Sequence, residues 1–248
     1  MYRHYIFDLY GTLADIRTDE KAEFVWKRLA KYAGAAYSPC LAEDYAFLCR
    51  QLEAQKNREL EASGISGPAE IDILKVWEHL FPKAEPSKVS RRFRKLTCRR
   101  LSLYPGAYQV LETLRRRGFI VCLLSNAQES FTLPELQSLG IAGCFDRIFL
   151  SSRYGVKKPS PAFFGLLRQA GMEPSDCLMI GNDDACDCRG AAAAGMDSLY
   201  LPTELSPPLS GKLPDRCRQI TSIRDVPAVS QRLSGDRYLP PHGSSRSG

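Results

Sequence analysis

The chain opens on a short apolar run, His4-Tyr5-Ile6-Phe7, that stops at Asp8 and continues as Leu9-Tyr10-Gly11-Thr12-Leu13. An aromatic and aliphatic run of this length, closed by a carboxylate and a turn glycine, predicts a buried strand. From residue 15 to about residue 100 the pattern changes. Apolar residues recur at helical spacing (Phe24, Val25, Leu29; Tyr45, Leu48, Leu52; Ile71, Leu74, Trp77, Leu80), with no convincing β-branched strand among them. Breaks at Ser38-Pro39, Gly64 to Pro68 and Pro82 to Ser87 divide the stretch into three or four helices.

After Tyr104-Pro105-Gly106 strands and helices alternate. The pattern predicts a helix over 107–117, a strand over 119–124, a helix around 133–139, a strand over 145–151 and a helix over 162–170. A strand over 177–180, a helix around 188–194, a strand over 198–201 and a weak one near 216–220 follow. Alternation at this spacing argues for a parallel sheet covered by helices. The carboxyl ends of such strands line the ligand crevice, so Asp8, Ser125, Lys157 or Lys158, and the acids around Asp183 should converge there. Residues 234–248 carry almost no apolar side chains and read as a disordered tail.

Length sharpens this picture. At roughly 150 residues per domain, 248 residues make one large domain or a core with an insertion. A globule of this size buries about 70–75% of its unfolded surface, so any metal site is more chemical than structural. The chain is 44% hydrophobic and 25% charged, which is ordinary for a soluble globular protein. Its net charge of +6 is spread along the sequence and does not single out nucleic acid. Nine cysteines form no Cys-x-x-Cys pair, and no signal segment opens the chain, which together predict reduced thiols in the cytoplasm. No apolar run approaches the about 20 residues of a membrane span, so no membrane partner is expected.

Four stretches carry a family resemblance: Asp8 to Asp15, Ser125-Asn126 after a strand, Lys158-Pro159 ahead of a helix, and Gly181-Asn182-Asp183-Asp184-x-x-Asp187-x-x-Gly190-Ala191. In this order, each at a strand end, they resemble the motifs of the haloacid dehalogenase-like hydrolase superfamily. The resemblance implies an α/β fold: a Rossmann-like, doubly wound parallel-sheet core over 1–14 and 102–233, with a small α-helical cap inserted at 15–101. It implies Asp8 as a nucleophile that forms a covalent aspartyl intermediate. Thr12 and Ser125, with nearby backbone N–H groups, would hold the oxygens of the transferred group, Lys158 would neutralise charge, and Tyr10 and Asn126 complete the implied catalytic set. Mg²⁺ would be held by Asp8, the Tyr10 carbonyl, Asn182, Asp183 and Asp187, oxygen donors that suit a hard cation. The implied partner is a small anionic phosphorylated metabolite, handled by a monomer or homodimer.

One position departs from the phosphatase pattern. Where those enzymes carry a second Asp two residues after the nucleophile, this chain has Tyr10. A phenol with an unperturbed pKa of about 10 is a poor base at pH 7. Losing general acid–base help costs around 10²–10⁴ in rate. Asp-x-Tyr-Gly-Thr-Leu instead resembles the 2-haloacid dehalogenases, whose halide leaves without a proton. Phe164 and Asp184 stand where dehalogenases carry Tyr and Asn, and Arg50 is only a loose match to their halide-binding arginine. The added acids of the fourth motif favour metal, and therefore phosphoryl hydrolysis. The rivals are a metal-independent dehalogenase and a degenerate member that binds ligand without turnover. The basic run Lys88, Arg91, Arg92, Arg94, Lys95, Arg99, Arg100 reads chiefly as a solvated helix face, with capture of an anionic substrate as its alternative.

Overall fold

The computed structural model describes residues 2–236. In chain order the strands are β1 (His4–Phe7), β2 (Ala14–Thr18), β3 (Cys98–Leu103), β4 (Ile120–Ser125), β5 (Arg147–Leu150), β6 (Cys177–Gly181), β7 (Asp197–Tyr200) and β8 (Cys217–Gln219). The helices are α1 (Glu23–Tyr32), α2 (Leu41–Ala62), α3 (Ile73–Leu80), α4 (Pro86–Thr97), α5 (Ala107–Arg116), α6 (Glu129–Ser138), α7 (Ser151–Tyr154), α8 (Pro161–Gln169), α9 (Gly190–Ala193) and α10 (Val226–Asp236).

Six strands form a parallel sheet in the order β5-β4-β1-β6-β7-β8. Successive strand residues point to opposite faces, and the register lines up like with like. Ile6 sits beside Cys122 and Met179, and all three feed the core under α8 and α9 with Phe163, Leu167 and Ala191. Phe7 sits beside Leu123 and Ile180, and these feed the opposite core under α5 and α10 with Val110, Leu111, Leu114 and Val226. Both faces are covered, which is why β4 and β6 read as continuous apolar runs. The result is a doubly wound, Rossmann-like α/β fold.

Helices α1 to α4 pack around an aromatic cluster of Trp26, Tyr45, Trp77 and Phe93. Neighbouring ring centroids lie 4.9 to 5.3 Å apart. Phe131 of α6 joins from the sheet side, with its ring 6.3 Å from Phe93.

Two expectations are corrected. The stretch expected to hold helices alone begins and ends in strand: β2 and β3 pair antiparallel, Ala14 beside Leu103 and Ile16 beside Leu101. Arg17, Arg99 and Arg100 break the apolar character, and a two-stranded ribbon needs only one dry face, so the alternation is short. The expected tail also starts late. α10 runs through Asp236, so residues 234–236 are helical, while the rest of that expectation, 237–248, lies outside the described residues. Among the described residues no helix is long and apolar enough to cross a membrane.

Candidate active site

The carboxyl end of β1 delivers Asp8, whose N–H is held by the Ile180 carbonyl of β6 at 2.9 Å. Gly11 then turns the chain at φ +85°, and a Cβ there would lie 2.2 Å from Asn182 Nδ2. Only glycine permits both the turn and the approach. The next strand, β4, ends at Ser125, which donates its hydroxyl to Asp8 Oδ1 at 3.0 Å. Lys158 Nζ donates to the same oxygen at 2.8 Å and to Asp187 Oδ1 at 2.6 Å. Thr12 Oγ1 approaches Asp8 Oδ2 at 3.4 Å and Asn182 Oδ1 at 3.2 Å.

Lys158 is 2% exposed. Burial alone would lower its pKa, but the charges of Asp187 and Asp8 outweigh burial and hold the ammonium above the usual lysine range. Burial pushes Asp187 up, against the opposing pull of Lys158. Its second oxygen accepts the Asp183 N–H at 3.0 Å. A Cβ at Gly181 would lie 2.0 Å from that oxygen, so a bare backbone is what lets Asp187 sit here. Lys157 turns away to Glu53, 2.6 Å off.

Several residues take parts that their sequence positions did not disclose. Both ends of the Asn126 amide grip the backbone of Lys158, accepting from its N–H at 2.7 Å and donating to its carbonyl at 3.1 Å, so Asn126 positions the lysine. Asp183 caps the π-helical turn Asp184–Arg189, its Oδ1 accepting from the N–H groups of Ala185 and Cys186, both at 2.9 Å. Asp184 faces away, towards Ser210 and Arg189. Leu205 and Pro207, from the loop between β7 and β8, help to close the pocket of about 170 Å³ around Asp8, Ser125, Lys158 and Asp183.

Tyr10 also lines this pocket, but its hydroxyl donates to Glu135 and lies 3.1 Å from Thr132 Oγ1. Arg94 holds the two Glu135 oxygens at 2.6 and 3.3 Å, and its guanidinium carbon lies 5.6 Å from the Tyr10 ring centroid. Burial, reinforced by the Glu135 charge, pushes the Tyr10 phenol well above its usual range. Arg94 is therefore no solvated member of a basic face; it is paired with Glu135. Neither Glu135 nor Thr132 carries a motif; only the burial of a polar pair on α6 marks them. Beyond Tyr10 and Asn126 opens a second cavity of about 420 Å³, lined by Glu20, Tyr45, Glu53, Arg94 and Phe131.

A metal fits the Asp8 pocket by charge and by donor type. Its lining carries three carboxylates, Asp8, Asp183 and Asp187, against one ammonium, Lys158. Among the described residues no three Asp, Glu, His or Cys side chains converge as a metal cluster. A set drawn from this pocket therefore needs the Tyr10 carbonyl and the Asn182 amide oxygen beside Asp8 and Asp183, all hard oxygen donors.

The family model for haloacid dehalogenase-like hydrolases matches residues 2–195, which hold every residue named around Asp8 except Leu205 and Pro207. The chain belongs to this family. Its relatives include a phosphoserine phosphatase of Thermus thermophilus, 33% identical over 129 residues, which are 52% of this chain and 51% of that protein. The chain thus spans about half the length of that relative. A phosphoglycolate phosphatase of Nitrosospira multiformis is 28% identical over 200 residues, 79% of this chain and 82% of that protein. A solved 2-haloacid dehalogenase from Pseudomonas syringae superposes with a TM-score of 0.63 at 21% identity, covering 94% of this chain and 100% of that one. That likeness shows the fold alone, which is neutral between the two chemistries.

Proposed function

We propose that the chain is a Mg²⁺-dependent phosphatase of a small phosphorylated metabolite, with Asp8 as the nucleophile. One observation carries this reading: the lining of the nucleophile's pocket has three carboxylates, Asp8, Asp183 and Asp187, and a single buried ammonium, Lys158, an excess of negative charge that a divalent cation would balance. Asp8, the Tyr10 carbonyl, Asn182 and Asp183 would hold Mg²⁺, and the ion would supply charge neutralisation between the carboxylate and an incoming phosphate. Asp187 leaves the ligand set, because its oxygens hold Lys158 and the Asp183 N–H. Ser125 and Lys158 orient Asp8 Oδ1, leaving Oδ2 to attack phosphorus. Lys158 then offsets charge on the transferring group, and Asn126 keeps that lysine in register. The helices over residues 23–97 would act as the cap that excludes bulk water and sets specificity. Nine free cysteines suit the reducing cytoplasm.

Phosphatase-named relatives support the reading. A metal-independent 2-haloacid dehalogenase is the second reading, favoured by the phenol at Tyr10. Arg50, its would-be halide ligand, is exposed and does not line the cavity beside Tyr10. The test is a panel of phosphate monoesters and 2-haloacids, run with Mg²⁺ and with chelator, against Asp8→Asn as blank. Phosphate release that needs both Mg²⁺ and Asp8 is expected. Halide release that survives chelator would favour the dehalogenase, and turnover of nothing would leave a binding protein.

A further inference from the structure

The carboxyl and phenol groups around Asp8 that could trade a proton with substrate are already engaged. Asp187 holds Lys158 with one oxygen and the Asp183 N–H with the other. Asp183 accepts two backbone N–H bonds on one oxygen, and its other oxygen belongs to the candidate cation set. Tyr10 gives its hydroxyl proton to Glu135, which is 7% exposed and gripped by Arg94 through both oxygens. That cluster ties the loop after β1 to α4 and α6, and the phenol cannot turn to a substrate without giving up its hydrogen bond to the buried Glu135. Cys186 adds only a thiol, a weak donor.

Among the described residues the pocket around Asp8 holds no free carboxyl or phenol, and such a site favours leaving groups that need no acid. Resting on the phosphatase reading, we infer that the substrate is an acyl phosphate, whose carboxylate departs unprotonated, and that the phosphoryl group then stays on Asp8 longer than it took to arrive. In the first step an Asp8 oxygen bonds to phosphorus, the bond from phosphorus to the bridging oxygen breaks, and the electron pair leaves with the carboxylate. In the second, water bonds to phosphorus, the Asp8 oxygen–phosphorus bond breaks back to a carboxylate, and the proton of water leaves on inorganic phosphate or to solvent. A carboxylic acid ionises near pH 4 and a phenol near 10, so the dependence on leaving group should be steep. Slow attack by unassisted water makes the second step limiting.

The experiment compares acetyl, 4-nitrophenyl, phenyl and ethyl phosphates with the full chain and Mg²⁺. We expect kcat/KM to fall by at least about 10²-fold from acetyl to ethyl phosphate, the low end of what general acid help supplies. 4-Nitrophenolate should appear in a burst equal to the enzyme concentration, and acid-quenched protein should carry phosphate on Asp8. Tyr10→Asp, which restores a carboxyl at that position, should flatten the series and shrink the burst; the wild-type series and burst decide the matter even if that variant does not fold. A flat, Asp8-dependent wild-type series without a burst overturns this inference and leaves the phosphatase reading standing. A flat series that turns steep in Glu20→Gln also overturns it, by assigning the acid to Glu20 of the neighbouring cavity. Release from none of the four phosphates overturns both.

Discussion

The pocket around Asp8 and the aromatic cluster of the helices are built on opposite principles. In the pocket, polar side chains meet oxygen to nitrogen or oxygen to oxygen at 2.6 to 3.4 Å, delivered by the ends of β1 and β4, the loop before α8 and the π-helical turn after β6. In the cluster, Trp26, Tyr45, Trp77 and Phe93 meet ring to ring about 5 Å apart, and what matters is filled volume. Changing one atom in the first alters what the site can do. Changing one ring in the second alters how firmly the four helices hold together.

Substitutions can break that contrast or sharpen it. Asp8→Asn should have the largest effect, a loss of about 10⁴-fold or more in turnover with little change in melting temperature, as expected for a missing nucleophile. A parallel fall in melting temperature would mean that Asp8 is part of the scaffold. Lys158→Met should blur the contrast. Phosphate release should fall about 10²–10³-fold, the scale of one lost charge-stabilising donor, and urea unfolding should register about 3–5 kcal/mol for leaving the buried Asp187 unpaired. Unaltered stability would show that Asp187 is solvated or protonated once the lysine is gone.

On the other side, Trp77→Ala should lower stability by about 3–5 kcal/mol, the range for a large core ring. Trp77→Phe should lose distinctly less, because the indole N–H has no hydrogen-bond partner among the described residues. Equal losses would point to an unseen partner for that N–H. The smallest effect is expected at Glu20, in the cavity between the two regions. Burial raises its carboxyl pKa, with Arg94 pulling the other way, so the folded chain keeps that proton to higher pH than the unfolded chain does. The stability it contributes is full below the unfolded value of about 4.3 and is lost as pH rises through the raised folded value. Glu20→Gln should make stability decline less steeply just above pH 4.3; an unchanged slope across that window would contradict the assignment.

The two regions also differ in how far they can be read from sequence. β4 and β6 are legible because a strand buried on both faces must be apolar throughout, and Asp8, Ser125 and Lys158 are legible because each follows such a strand or precedes a capped helix. The partners of Tyr10 are not. Glu135 is 125 positions away, and Arg94 lies within a run of seven basic residues whose solvated members mask it. The split between Asp183 and Asp187, which line the pocket, and Asp184, which faces away to Ser210, depends on a π-helical turn that no residue spacing announces. The β2–β3 ribbon escaped because its alternation is brief and interrupted by arginines.

That ribbon has a consequence for the chain as a whole. The polypeptide leaves the sheet for the helices through β2 and returns through β3, and paired strands run only about 4.8 Å apart. Everything between the two crossings is a cassette with both splice points side by side. Exchanging residues 19–97 for another segment with equally close ends would leave the strand order of the sheet intact, provided the new segment also supplies a partner for the buried Glu135, which Arg94 now holds.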